Sequence, residues 1–101
     1  MAQTGTPLVR DGYLYLPDGG RIRLGSAAWF DWLETAQLFS YQAANSYRLT
    51  VRQEKRRHGT YWYAYCKQAR KLHNAYAGRS TALTAARLAQ LAEQLWQKGK
   101  G

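Results

Sequence analysis

The chain has 101 residues, 46% of them hydrophobic, with four Trp and eight Tyr: enough apolar material for one modest core and too much for a disordered segment. Fifteen Lys and Arg against six Asp and Glu give a net charge of +9 and a pI near 10.1, the balance of a domain whose partner is a polyanion. The single cysteine, Cys66, precludes an internal disulfide, no apolar run approaches a membrane span, and the first residues lack the apolar stretch of a secretory leader. The expectation is a cytoplasmic protein, nucleoid-associated if bacterial, with no membrane partner.

The cations are concentrated. Between Arg48 and Arg79 stand nine basic residues and one acid, Glu54, so this stretch carries +8 of the total +9. The remainder, six basic and five acidic residues, is nearly neutral.

Residues 1–10 show no periodicity and are expected to form a loose arm. Gly12 to Leu16 and Arg21 to Leu24 are short β-prone runs joined by Pro17-Asp18-Gly19-Gly20, in which proline presets φ and glycine accepts positive φ. A β-hairpin is expected there. Ser26 is suited to cap a short helix whose stripe is Trp29, Trp32, Leu33 and Ala36, ending near Gln37 or Leu38. Helical spacing alone explains the two Trp as core. Residues 39–45 read as a connector.

From Tyr47 the pattern changes to period two. Tyr47, Leu49 and Val51 alternate with Arg48, Thr50 and Arg52; Trp62, Ala64 and Cys66 alternate with Tyr61, Tyr63, Tyr65 and Lys67; Leu72 to Ala77 is a third run. The short connectors at 56–59 and 68–71 imply an antiparallel meander. Thr84 caps a closing helix with the stripe Leu88, Leu91, Ala92 and Leu95. The expected fold is therefore α+β: a three-stranded antiparallel sheet packed on a C-terminal helix, with an N-terminal β-hairpin and short helix. The 101 residues read as a single domain, with hairpin and helix at 12–38, sheet and helix at 47–97 and a tail at 98–101.

A three-stranded sheet needs cover on one face. Ala64 and Cys66 suit a close helix, whereas Lys67 does not, so Leu49, Val51, Trp62, Ala64 and Cys66 face inward. The outward face then holds Arg48, Thr50, Arg52, Tyr61, Tyr63, Tyr65, Lys67, Asn74 and Tyr76, beside the turn cations Lys55, Arg56 and Arg57. Arginine gives bidentate contacts to phosphate or guanine, tyrosine adds rigid area with a hydroxyl, and asparagine pairs with adenine. These twelve residues are the expected DNA-binding set. The alternative reading of the same tyrosines is that cross-strand aromatic pairs stabilise the sheet, or that the N-terminal hairpin and helix cover them.

YRLTVRQEKRRHGTYWYAYCK, AYAG and TALTAARLAQLA, about half the chain by the spread of these short motifs, resemble the plant Apetala-type (ethylene-response-factor) DNA-binding domains. The same segment is similar to the arm-type domains at the N-termini of tyrosine recombinases, and Tyr61 to Tyr65 is similar to a Tyr-Trp-x-Ala-Tyr motif of small bacterial LuxR-type regulator and mobile-element domains. The resemblance implies a three-stranded sheet that enters the major groove of duplex DNA, in transcription regulation or recombination. It matches Arg48 and Arg52 to DNA-contacting arginines, Tyr63, Tyr65 and Lys67 to outward positions, Tyr76 to an exposed aromatic, and Trp62, Ala64 and Cys66 to inward ones. Tyr65 stands where the plant domains have an acid and the first turn differs in length, so their base preference does not transfer.

No metal-ligand spacing, phosphate loop or catalytic constellation is present: His58 lies in a basic turn, His73 in a strand, and Cys66 reads as a small buried thiol. Neither an enzyme nor a cofactor or metal site is expected. An RNA or single-strand platform, stacking bases on the tyrosines, and a protein-interaction face remain the alternative readings.

Overall fold

Strand alternation governs more of the chain than the three expected runs. The computed structural model describes residues 5–43, 47–68 and 70–100. Its elements are β1 (Leu8–Arg10), β2 (Tyr13–Tyr15), β3 (Arg21–Arg23), α1 (Ala27–Thr35), β4 (Leu38–Gln42), β5 (Arg48–Arg56), β6 (Gly59–Gln68), β7 (Lys71–Gly78), a 3-10 turn (Ser80–Ala82) and α2 (Ala85–Lys100). All seven strands join one mixed sheet in the order β3-β2-β1-β4-β5-β6-β7. The expected three-stranded sheet with a separate hairpin is thereby corrected; the class stays α+β.

Two segments account for the difference. The expected arm contains β1, which turns into β2 through Asp11 and Gly12, both at positive φ (52° and 82°). Asp-Gly between two alternating runs is the sequence of a two-residue turn of the type that matches strand twist. The expected connector contains β4, where Phe39 is buried and pairs with Val51. β1 then lies parallel to β4, pairing Leu8 with Ser40 and Val9 with Tyr41, and this link fuses the N-terminal hairpin to the meander. Residues 1–4 of the expected arm, Ala44 and Asn45 of the expected connector, Ala69 and the terminal Gly101 lie outside the described residues.

α1 starts where Ser26 accepts a hydrogen bond from the Trp29 N–H at 3.2 Å, and it stops at Thr35 because Leu38 already belongs to β4. Thr84 accepts from the Arg87 N–H at 3.2 Å and so caps α2. Both helices cover the same face of the sheet: Trp29 and Leu33 of α1 and Leu88, Leu91, Ala92 and Leu95 of α2 share one core with Val9, Leu14, Phe39, Leu49, Val51, Trp62, Ala64, Ala75 and Ala77. Each fully buried Leu there contributes about 1.5–3 kcal/mol relative to exposure.

Indole rings anchor the core. Trp29 meets Phe39 edge-on and Phe39 meets Trp62 at a tilt, each with a centroid separation of 5.5 Å, linking α1, β4 and β6. A buried indole N–H needs an acceptor. Trp29 donates to the Leu83 carbonyl at 2.7 Å and Trp62 to the Ser80 hydroxyl at 2.8 Å, so the 3-10 turn region between β7 and α2 satisfies both. That turn sits close over Gly78, whose φ is 111° and where a Cβ would lie 3.2 Å from the Ala82 side chain. The positive φ favours glycine there, and the Ala82 side chain would have to shift to admit a Cβ.

Candidate functional site

Period-two geometry divides β5 to β7 cleanly. On β6, Trp62, Ala64 and Cys66 are buried while Tyr61, Tyr63 and Tyr65 are half-buried and Lys67 is exposed. Cross-strand register sets Arg52 and Tyr76 beside Tyr63, and Thr50 and Asn74 beside Tyr65. The outward face of these strands thus gathers Arg48, Thr50, Arg52, Tyr61, Tyr63, Tyr65, Lys67, Asn74 and Tyr76, with both helices on the opposite side. Tyr76 is 51% exposed.

The aromatic rings touch one another and the cations. Tyr76 lies 5.9 Å from Tyr61 and 5.5 Å from Tyr63, centroid to centroid. The Arg56 guanidinium sits 4.8 Å over the Tyr63 ring and the Arg79 guanidinium 5.3 Å over Tyr61. These contacts tie the rings to one another across the strands, which serves the cross-strand stability reading as well as an interface.

Glu54 is the centre of a small network. Its carboxylate pairs with Arg56 and accepts a hydrogen bond from the Tyr65 hydroxyl. That bond, then burial, pushes the Tyr65 phenol above its ordinary value. Among the described residues Glu54 is the one acid on this face. Asp11 and Asp18 are in turns, Asp31 and Glu34 lie on α1, and Glu93 lies on α2.

Arg56 and Arg57 stand at the end of a two-stranded ribbon. β4 pairs with β5 as far as Arg52, with one further bond from the Gln53 N–H to the Gln37 carbonyl at 2.9 Å, and β7 pairs with β6 only as far as Trp62. Residues Glu54 to Tyr61 therefore project beyond both neighbours, with three residue pairs ending at Arg56 and Gly59. Three pairs make about 10 Å of ribbon. Lys55, Arg56, Arg57 and His58 on it are all exposed. Alternation puts Lys55 on the side opposite Arg56, so the three consecutive cations do not form one cluster.

Several residues on the same face escaped the sequence reading. Arg79 covers Tyr61, and strands β1 to β3 continue the outward face with Arg10, Tyr13, Tyr15, Arg21 and Arg23. The signal for the latter was present in the alternation Tyr13-Leu14-Tyr15 and Arg21-Ile22-Arg23, but nothing local shows that the hairpin shares a sheet with β5 to β7. Cys66 and His73 face each other in the β6–β7 register, and the thiol donates toward the Arg48 carbonyl at 3.5 Å. Among the described residues no helix is long and apolar enough to cross a membrane, and no three His, Cys, Asp or Glu side chains converge as metal ligands. Comparison with protein-family models, curated proteins and solved structures finds no match.

Proposed function

We propose that the chain is a non-enzymatic, double-stranded DNA-binding domain acting through the outward face of β5 to β7 and the ribbon between β5 and β6. The observation that carries this is the segregation of that face: Arg48, Arg52, Arg56 and Lys67 interleave with Tyr61, Tyr63, Tyr65 and Tyr76 against the single acid Glu54. Such a surface suits phosphates by charge and bases by rigid aromatic area.

The geometry changes how the duplex is engaged. Six inter-strand steps of about 4.8 Å make the sheet about 29 Å across, far wider than a major groove of about 12 Å. A two-stranded ribbon fits that groove. The ribbon from Glu54 to Tyr61 is thus the inserting element, bringing Arg56 and Arg57 to base edges or groove walls. Arg48, Arg52, Lys67 and the tyrosines meet the flanking backbone. Transcription regulation or recombination is the role such a module serves.

Single-stranded nucleic acid is the second reading, favoured by the half-exposed Tyr76 among other rings on a broad surface. Fluorescence anisotropy with a duplex and single strands of equal length separates the two. The expected result is tighter duplex binding, with log affinity falling against log salt at a slope set by about four to seven phosphate contacts. Tighter single-strand binding overturns the duplex reading. Absence of binding to either at low salt overturns both and leaves the protein-interaction face.

A further inference from the structure

The sequence divides the chain into a basic half and a balanced half, but the fold divides its charges differently. Arg10 pairs with Tyr13 across β1 and β2, and Tyr13 and Tyr15 pair with Arg23 and Arg21 across β2 and β3. Val9, Leu14 and Ile22 take the opposite phase and pack toward the core. All five Arg and Tyr side chains therefore belong to the outward face. The Arg21 guanidinium lies 4.9 Å over the Tyr13 ring and that of Arg10 lies 5.3 Å over Tyr15. The nearby acids are in the turns, and the Asp18 carboxylate is occupied by the Gly20 N–H at 2.9 Å. Arg10, Arg21 and Arg23 are exposed, and the ion pair among the described residues is Arg56 with Glu54.

This second cluster repeats the chemistry of the first, cations stacked on outward tyrosines, with an uncharged strip between them: Leu38, Ser40 and Gln42 of β4. Four inter-strand steps separate β2 from β6, about 19 Å. At about 3.4 Å per base pair that distance corresponds to about six base pairs. The twist of successive strands, about 20–25° each, turns the second cluster well away from the first, so one duplex reaches both only by bending around the sheet.

We propose that Arg10, Tyr13, Tyr15, Arg21 and Arg23 form a second backbone-contact station for the same duplex, which the protein bends between the two stations. This rests on the duplex reading above. The test uses the full chain and a variant carrying Arg10→Gln, Arg21→Gln and Arg23→Gln, with a loop-closed hairpin duplex of about 5 base pairs, too short to reach both stations, and a duplex of about 20 base pairs. The native chain should bind the longer duplex more tightly than site number alone explains. The variant should bind the short duplex as the native chain does and lose the gain with length. Its salt slope on the long duplex should fall by about two to three. An unchanged unfolding temperature shows that the variant is folded.

Equal affinity and equal salt slope for native chain and variant on the long duplex overturn the second station while leaving the first intact. If the native chain binds neither duplex, the duplex reading itself fails. If the gain with length occurs on single strands alone, the occupant is a flexible strand and the proposal of a bent duplex is overturned.

Discussion

At the scale of single residues, the side chain that tunes the face is Glu54. It holds Arg56 and the Tyr65 hydroxyl, and among the described residues it is the one acid on that face. Glu54→Gln keeps an acceptor for Tyr65 and removes the charge. Unit charges about 4 Å apart in water interact by about 1 kcal/mol, so affinity for duplex at low salt should rise about fivefold. Unchanged affinity in an anisotropy titration would place the ligand away from Glu54. The variant should also lower the pH at which Tyr65 titrates. The Tyr65 phenol is raised above the ordinary 10.0, so the stabilisation it brings is complete below that value and is lost as pH rises through its folded pKa. Alternation in the sequence identifies Tyr65 as outward-facing. That Glu54 meets it across the ladder depends on register, which local pattern does not fix.

At the scale of elements, the sheet has a guarded edge. β7 is the outermost strand beside β6, and its free side is covered by long cations of α2. Arg87 donates to the Tyr76 carbonyl at 2.8 Å and to the Ala77 carbonyl at 3.2 Å, and Lys98 donates to the Asn74 carbonyl at 2.9 Å. An uncovered edge strand is a template for pairing with a second chain. Arg87→Ala with Lys98→Ala should destabilise the fold by about 1–2 kcal/mol, lowering the unfolding temperature by about 4–8 °C per kcal/mol. It should also produce concentration-dependent association in sedimentation velocity. A strictly monomeric variant would deny α2 the guarding role. The helix itself was legible from its stripe of Leu88, Leu91, Ala92 and Leu95. Its polar duty was not, because hydrogen bonds to a neighbouring strand leave no periodic trace.

At the scale of the whole molecule, the N-terminal segment is part of the core. Trp62 of β6 packs on Phe39 of β4, and Trp29 of α1 donates its indole N–H to Leu83, which precedes α2. A fragment of residues 47–101, which keeps β5 to β7 and α2 alone, should therefore be unfolded. It loses Phe39 from beside Val51 and Trp62, and Trp29 and Leu33 from the shared core, and replacing one buried aromatic by Ala alone costs about 3–5 kcal/mol. Near-ultraviolet circular dichroism and thermal unfolding of the fragment check this; a cooperative transition would show that β5 to α2 fold without the N-terminal elements.

The high positive charge, the outward tyrosines of β6 and the apolar stripes of both helices were determined by composition and by periods of 2 and 3.6, because side-chain direction follows backbone geometry residue by residue. Tertiary structure alone decided that seven strands form one sheet. The parallel pairing of β1 with β4 closes a long loop through β2, β3 and α1, and no short-range pattern encodes such a contact. With that pairing, Arg10, Arg21 and Arg23 of the nearly neutral half come to share a face with Arg48, Arg52 and Lys67. Charge is a property of the sequence; its segregation onto one side is a property of the sheet.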